Sequence, residues 1–491
     1  MRRLPIAAFA ALVALVVVAV LGSVLGSTAV PLRPPVSATA PVTAVTLVCP
    51  DINGAAPNTV TTAAAADVAT ALTPPSQSTG TVTTKVLAGP KSKRQPVSLA
   101  PSVVVRSQPK LNPTIEVHAS GSVAASVVAD QVSETSQGRD RALAGTRCVS
   151  PSTDWWFAGA DGRVGFHDVL TLANPASTPA AVAISLWSAK GRPLSASHLQ
   201  AVRVRASSAL RIVIASIAPD VGTIAIHVHA TNGAVTAALI DRRTSGLLSD
   251  GGDFMPATLP PARAAVVAGF APGKGPRRLF IADPGPLTAT VTLRVVTRSG
   301  SFTPAGDNQV IVRAGHTRVV ALDRAFGGTT GAVTLTSDQP VVASGMVRTS
   351  APPHRPDLMW LAATEPLHGS AGIATGREPD GGRCFLLLTA PQGAAQVQVT
   401  TPQGTSTSIS VPAGHSVNVD ITATVRVPAG QPGASSWPFV VTSTGSAPVY
   451  GIRVLTFAGA HGALITGEPL VALPSAIVLP PVHSDPRIAT R

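Results

Sequence analysis

Short runs of alternating apolar and polar residues fill the chain from about residue 44 onward, and one figure made of them recurs. Its clearest copy spans 333–348: Val-Thr-Leu-Thr, then Ser-Asp338-Gln-Pro340, then Val-Val-Ala-Ser-Gly-Met-Val-Arg. Period-two alternation sends successive side chains to opposite faces of a pleated strand. Two such runs around a polar, proline-containing tetrad predict a β-hairpin. The figure returns at 115–130, 224–242 and 439–454, and its marker residues Ser120, Thr231, Asp338 and Thr444 stand 106–111 residues apart. So steady a period predicts four homologous units.

Other landmarks keep the same step. A strand ends at Asn174-Pro175, at Asp283-Pro284 and at Ala390-Pro391, with 45–50 expected as its first-unit counterpart. A small-residue turn and strand follow, with Ala-Gly-His at 314–316 and 413–415. Another strand ends near Gly159, Gly269 and Gly376, and 476–479 is expected to close the last unit. About seven short strands per unit predict an all-β chain of four tandem immunoglobulin-like antiparallel sandwiches. The expected units are 44–159, 160–269, 270–376 and 377–482, with a tail at 483–491. An eight-bladed β-propeller, with two four-stranded blades per unit, is the alternative.

The N-terminus breaks the pattern. Met1-Arg2-Arg3 precedes an uncharged stretch, 4–32, whose apolar core is 6–25. That is long enough to cross a bilayer, and charges placed before it keep the N-terminus cytoplasmic and the bulk outside. Residues 1–26 are therefore expected to be a signal anchor and 27–43 a linker; secretion after cleavage near Ala29 is the alternative.

Composition adds little to the fold and more to what is excluded. Apolar residues make up 45% and aromatics only 3%, so cores must be built from Val, Ala, Leu, Ile and Thr, which favours sheets. The net charge of +13 points to anionic envelope polymers or lipid head groups as partners, with envelope proteins as the alternative, although Arg is scattered as in a composition-biased chain. Its clusters are Lys91-Ser-Lys93-Arg94, Arg242-Arg243 and Arg277-Arg278. Nucleic acid is not expected, because stacking aromatics are not interleaved with these charges.

For an exported chain, Cys49 and Cys148 are expected to form a disulfide, both falling in the first unit; Cys384 reads as a small core residue. No metal or cofactor is expected, since no Cys or His pair shows ligand spacing. His316 and His415 occupy equivalent turns, and His167-Asp168 and Asp250-Gly-Gly-Asp253 read as loop residues. Glu365 and Glu468 sit in equivalent Glu-Pro-Leu triplets. Trp155-Trp156-Phe157, the one dense aromatic cluster, is expected to anchor units one and two against each other or to form an exposed interaction platform.

The apolar N-terminal segment, Trp155-Trp-Phe-Ala-Gly159, Asp168-Val-Leu-Thr-Leu-Ala-Asn-Pro175 and the repeated Val-Val-Ala runs resemble a family of unknown function. The resemblance implies exported, membrane-anchored actinobacterial proteins in a cell-wall context, and no activity or catalytic residues. The resulting expectation is a non-enzymatic scaffold or interaction module at the cell envelope. A glycan-binding or accessory factor for envelope polysaccharide assembly is the alternative.

Overall fold

The computed structural model describes residues 39–52, 58–72, 79–97, 103–106, 113–191, 199–306, 309–349, 355–375, 382–424, 438–459, 461–474 and 476–478. The expected anchor, the position near Ala29, most of the linker and the tail lie outside them. Among the described residues no helix is long and apolar enough to cross a membrane.

After β1 (Thr39–Ala40), four units of eight strands follow. The first holds β2 (Ala44–Cys49), β3 (Asn58–Ala64), β4 (Gly80–Val86), β5 (Gln95–Val97), β6 (Val103–Arg106), β7 (Ile115–Gly121), β8 (Val128–Thr135) and β9 (Ala142–Arg147). The second holds β10 (Asp154–Ala160), β11 (Val169–Asn174), β12 (Ala180–Trp187), β13 (Val202–Val204), β14 (Ser208–Val213), β15 (Ile224–Asn232), β16 (Thr236–Ser245) and β17 (Leu248–Met255). The third holds β18 (Ala262–Phe270), β19 (Arg277–Ala282), β20 (Ala289–Thr297), β21 (Gly300–Phe302), β22 (Gln309–Val312), β23 (Thr317–Ala321), β24 (Gly331–Arg348) and β25 (Leu358–Ala362). The fourth holds β26 (Ser370–Ile373), β27 (Arg383–Ala390), β28 (Ala395–Thr400), β29 (Ser406–Val411), β30 (His415–Asp420), β31 (Phe439–Ser443), β32 (Tyr450–Gly459) and β33 (Gly462–Pro469). Separately, β34 (Ile477–Val478) pairs with β1, so the last strand does not close the fourth unit.

Pairing is antiparallel throughout the units. In the second, one sheet runs β10-β15-β12-β13 and the other β14-β11-β16-β17; the first and fourth units repeat both orders. Inward residues of the two sheets meet in a shared core, as Ile184, Ile226 and Val228 do with Leu170, Leu172 and Leu239. The expected antiparallel sandwich is therefore the architecture, and no closed propeller is found among the described residues. A propeller blade is a local four-stranded sheet, whereas here each sheet interleaves strands from across a whole unit.

Two expectations change. First, the recurring figure is not a hairpin. Its runs lie in different sheets: β15 beside β10 and β12, β16 beside β11 and β17. In the third unit they form one 18-residue strand, β24, that passes from the sheet of β20 to that of β19. Asp338 sits at that corner and accepts a 2.7 Å hydrogen bond from the Thr290 N–H. Second, the strand expected to close each unit opens the next, since β10, β18 and β26 pair with β15, β24 and β31. The units thus run 44–147, 154–255, 262–362 and 370–469. The segment at 45–50 is likewise an opening strand, paired with β7 as β10 is with β15.

The body formed by Val42–Ser475 is compact, and its units close into a cycle. The eighth strands β9, β17, β25 and β33 touch in succession, and β33 returns to β9. Apolar clusters bridge every junction. One cluster holds Ile52 and Ala144 with Ile240 and Phe254, another Trp156 with Phe280 and Trp360, a third Leu279 with Ile452, and a fourth Leu386 with Leu143. The period-marking glycines explain their own recurrence at these junctions. A Cβ on Gly159 would lie 2.5 Å from the Trp360 ring, and one on Gly269 would lie 2.3 Å from Ile452 Cγ2. Both have positive φ, +118° and +98°, where only glycine is unstrained.

Candidate functional site

Two polar assemblies stand out once the fold is known. The first lies where the four eighth strands meet. Asp357 accepts hydrogen bonds from the backbone N–H of Leu143, Ile465 and Gly252, at 3.0, 3.0 and 3.1 Å. These donors belong to the first, fourth and second units, so one third-unit carboxyl touches all four. Asp253 does the same through the Gly145 N–H (3.0 Å), the Thr466 hydroxyl (2.8 Å) and the Trp360 N–H (3.3 Å). Asp250-Gly-Gly-Asp253 is thus an inner strand rather than a loop. A Cβ on Gly251 would come within 2.7 Å of Asp357 Cα, so the glycine admits the neighbouring chain. Burial pushes Asp357 up to about 7 against the pull of its donors and raises Asp253 well above the carboxylate range.

Beside them, Arg453 pairs with Glu468, while Asp130 of the first unit lies 3.8 Å from Arg453 and Arg147 lies 3.9 Å from Glu468. Burial and then Asp130 push Glu468 up to about 8, over the opposing pull of Arg453. Glu468 and Glu365 share a triplet but not a role, since Glu365 is exposed. A cavity of about 140 Å³ adjoins this cluster, lined by Arg147, Trp155, Phe254 and Glu468. It is smaller than the 300–1,000 Å³ usual for drug-sized ligands.

The second assembly lies on the sheet formed by β10 and β15. Alternation along β15 puts His227 and His229 on one face, and the register sets Asp154 directly opposite His229. His227 Nε2 lies 2.8 Å and His229 Nδ1 3.0 Å from the same oxygen, Asp154 Oδ1. The Thr153 hydroxyl donates to Oδ2 at 3.2 Å. The His227 ring stacks on Trp156 with centroids 4.0 Å apart and planes 9° apart, and Trp156 stacks on Trp187 at 5.5 Å. Burial would lift Asp154, but the two imidazole hydrogen bonds outweigh it and hold the carboxyl below its usual range. Burial lowers His227 despite the opposing carboxylate.

The residues singled out in the sequence fall around these assemblies. Cys49 and Cys148 form the expected disulfide, across 99 residues of chain. A loop that long is worth about 4–5 kcal/mol when closed. Cys384 is buried in the fourth-unit core, and burial pushes its thiol up to about 12. Trp155, Trp156 and Phe157 do not form an exposed platform. Phe157 is 1% exposed, Trp156 packs at the second–third junction, and Trp155 donates from Nε1 to Val235 O at 2.9 Å. Trp155 also lines the cavity with first-unit residues Val48 and Arg147. Strand alternation separates neighbours in sequence, so the three aromatics serve different contacts.

The arginines of the basic clusters are tied down as well, while Lys91 and Lys93 are exposed. Arg94 pairs with Glu116, Arg242 donates to Ile52 O (2.8 Å), Arg243 pairs with Asp241 (2.8 Å) and Arg278 with Asp323 (2.6 Å). Arg277 is buried and donates to Ala271 O at 2.7 Å. His316 and His415 bind the carbonyl two residues back, at 2.7 and 2.8 Å, within their own turns. His167 reaches the Thr244 hydroxyl, while Asp168 is buried and accepts from the Asp161 N–H, so they do not act as a pair. Asp154, His227 and His229 were not anticipated. Their signal was the His-Val-His spacing on an alternating strand, which names two of the three residues.

Fold and sites together define a cyclic assembly of β-sandwich units within one chain, the first of them closed by a disulfide. Residues 103–428 match the family of unknown function DUF5719, and the chain belongs to that family. Among curated proteins none matches. A solved chain, described as the crystal structure of Thermotoga maritima 1070, aligns over 22% of this chain and 96% of its own. Its identity is 16% and the TM-score is 0.19.

Proposed function

We propose that this chain is a membrane-tethered, extracytoplasmic, non-enzymatic scaffold that presents interaction surfaces at the cell envelope. The observation that carries the reading is the cyclic four-sandwich body, in which both buried aspartates and the Arg453–Glu468 cluster join units to one another. Such a body is a rigid platform, and rigidity favours binding through fixed surfaces because little ordering entropy is lost on contact. The Cys49–Cys148 disulfide supports an oxidising compartment, where such bonds persist. The apolar segment at 6–25 with Arg2 and Arg3 before it supports a single anchor with the body outside.

The test is protease treatment of spheroplasts from a bacterial host making the full chain with tags at both ends. The expected result is a membrane-bound chain that loses its C-terminal tag and retains a protected N-terminal one. A chain found in the cytosol, or released whole into the medium, overturns the tethered reading.

A further inference from the structure

We propose that Asp154, His227 and His229 form a binding site for a divalent transition-metal ion of the zinc type. One ligand atom from each residue, two imidazole nitrogens and a carboxylate oxygen, lies within 4.8 Å of the others. Zinc takes such donors at about 2.0–2.2 Å, so tetrahedral neighbours stand about 3.3 Å apart. The 2.8 and 3.0 Å separations from Asp154 Oδ1 to each imidazole are already close to that spacing. Small side-chain rotations complete the triangle without moving the strands, because all three residues sit on paired β10 and β15.

The surroundings are those of a held ligand set. Stacking on Trp156 fixes the plane of the His227 ring, and the Thr153 hydroxyl on Oδ2 orients the carboxylate toward the histidines. Outer contacts of this kind position metal ligands in known sites. Imidazole donors select zinc, copper or nickel over calcium or magnesium, which require oxygen ligands. Asp154 and His229 are exposed, so an ion has access from solvent and its fourth position is open.

The experiment is Zn²⁺ titration of the chelator-treated full chain in competition with a zinc indicator. His229→Ala and Asp154→Asn serve as site variants, and His316→Ala and His415→Ala as histidine controls. The expected result is one competing site per chain, weakened at least tenfold in both site variants and unchanged in both controls. Ca²⁺ is expected not to compete. Because Asp154 and His229 are exposed, the variants are expected to melt with the parent chain when metal is withheld. In the parent alone, saturating Zn²⁺ is expected to raise the melting temperature. No competing site in the parent, or equal affinity in parent and site variants, overturns the proposal.

Discussion

A carboxyl group that binds backbone from three foreign units makes the whole body sensitive to its charge. Burial lifts Asp357 from 3.8 to about 7, so the folded state favours the protonated form. Its contribution is complete below pH 3.8 and is lost as pH rises through 7, a difference of about 4 kcal/mol across the window. Glu468, lifted from 4.5 to about 8, acts with the same sign. The urea midpoint is therefore expected to be lower at pH 8 than at pH 5. Asp357→Asn should flatten part of that slope, because the amide does not titrate, and should lower stability at both pH values. Its NH₂ turns a donor toward backbone N–H groups that already donate. A midpoint independent of pH in the parent chain contradicts this account. Little of it was legible in the sequence: Asp253 read as a loop residue and Asp357 carried no signal, because the donors to each stand 105 to 214 residues away.

At the level of the strand, glycine decides how closely one unit seats on the next. Gly159 and Gly269 were visible as period markers, and the structure adds what they receive, Trp360 and Ile452. Gly159→Val puts branched carbons where the Trp360 ring lies 2.5 Å from the Cβ position, at a φ of +118°. Overpacking and backbone strain each cost about 1–3 kcal/mol, so a loss of about 3 kcal/mol or more is expected in equilibrium unfolding. Gly138→Val makes the comparison: its φ is also positive, but a Cβ there meets nothing within 4 Å, so only the strain should remain. Equal losses in the two variants contradict the seating role. The same strands show why the hairpin expectation failed. Alternating runs on either side of a polar turn look alike whether the chain reverses within a sheet or crosses to the facing one. Partners distant in sequence choose between them.

For the molecule as a whole, closure of the cycle matters more than any one junction. The fourth unit contacts the third through Ile452 and Val454 and the first through Leu386 and Phe439. A chain ended after Ala362 would expose both of those faces at once. It is expected to self-associate, seen by light scattering as species larger than one chain. Four units on a string would leave a monomer of reduced mass. Monomeric behaviour of the shortened chain contradicts closure.

The sequence by itself determined the all-β class, the count of four units, the period and the disulfide, because alternation, turn residues and cysteine position are local or repeat regularly. It also carried the His-Val-His spacing, two of the three residues of that site, since strand alternation alone puts both rings on one face. The tertiary structure decided the phase of the units, the sheet-crossing corners, the closed cycle, and the meeting of Asp154 with His227 and His229. Each of these depends on which distant strands pair, and pairing is chosen by burial summed over whole faces rather than by any residue's neighbours in the chain.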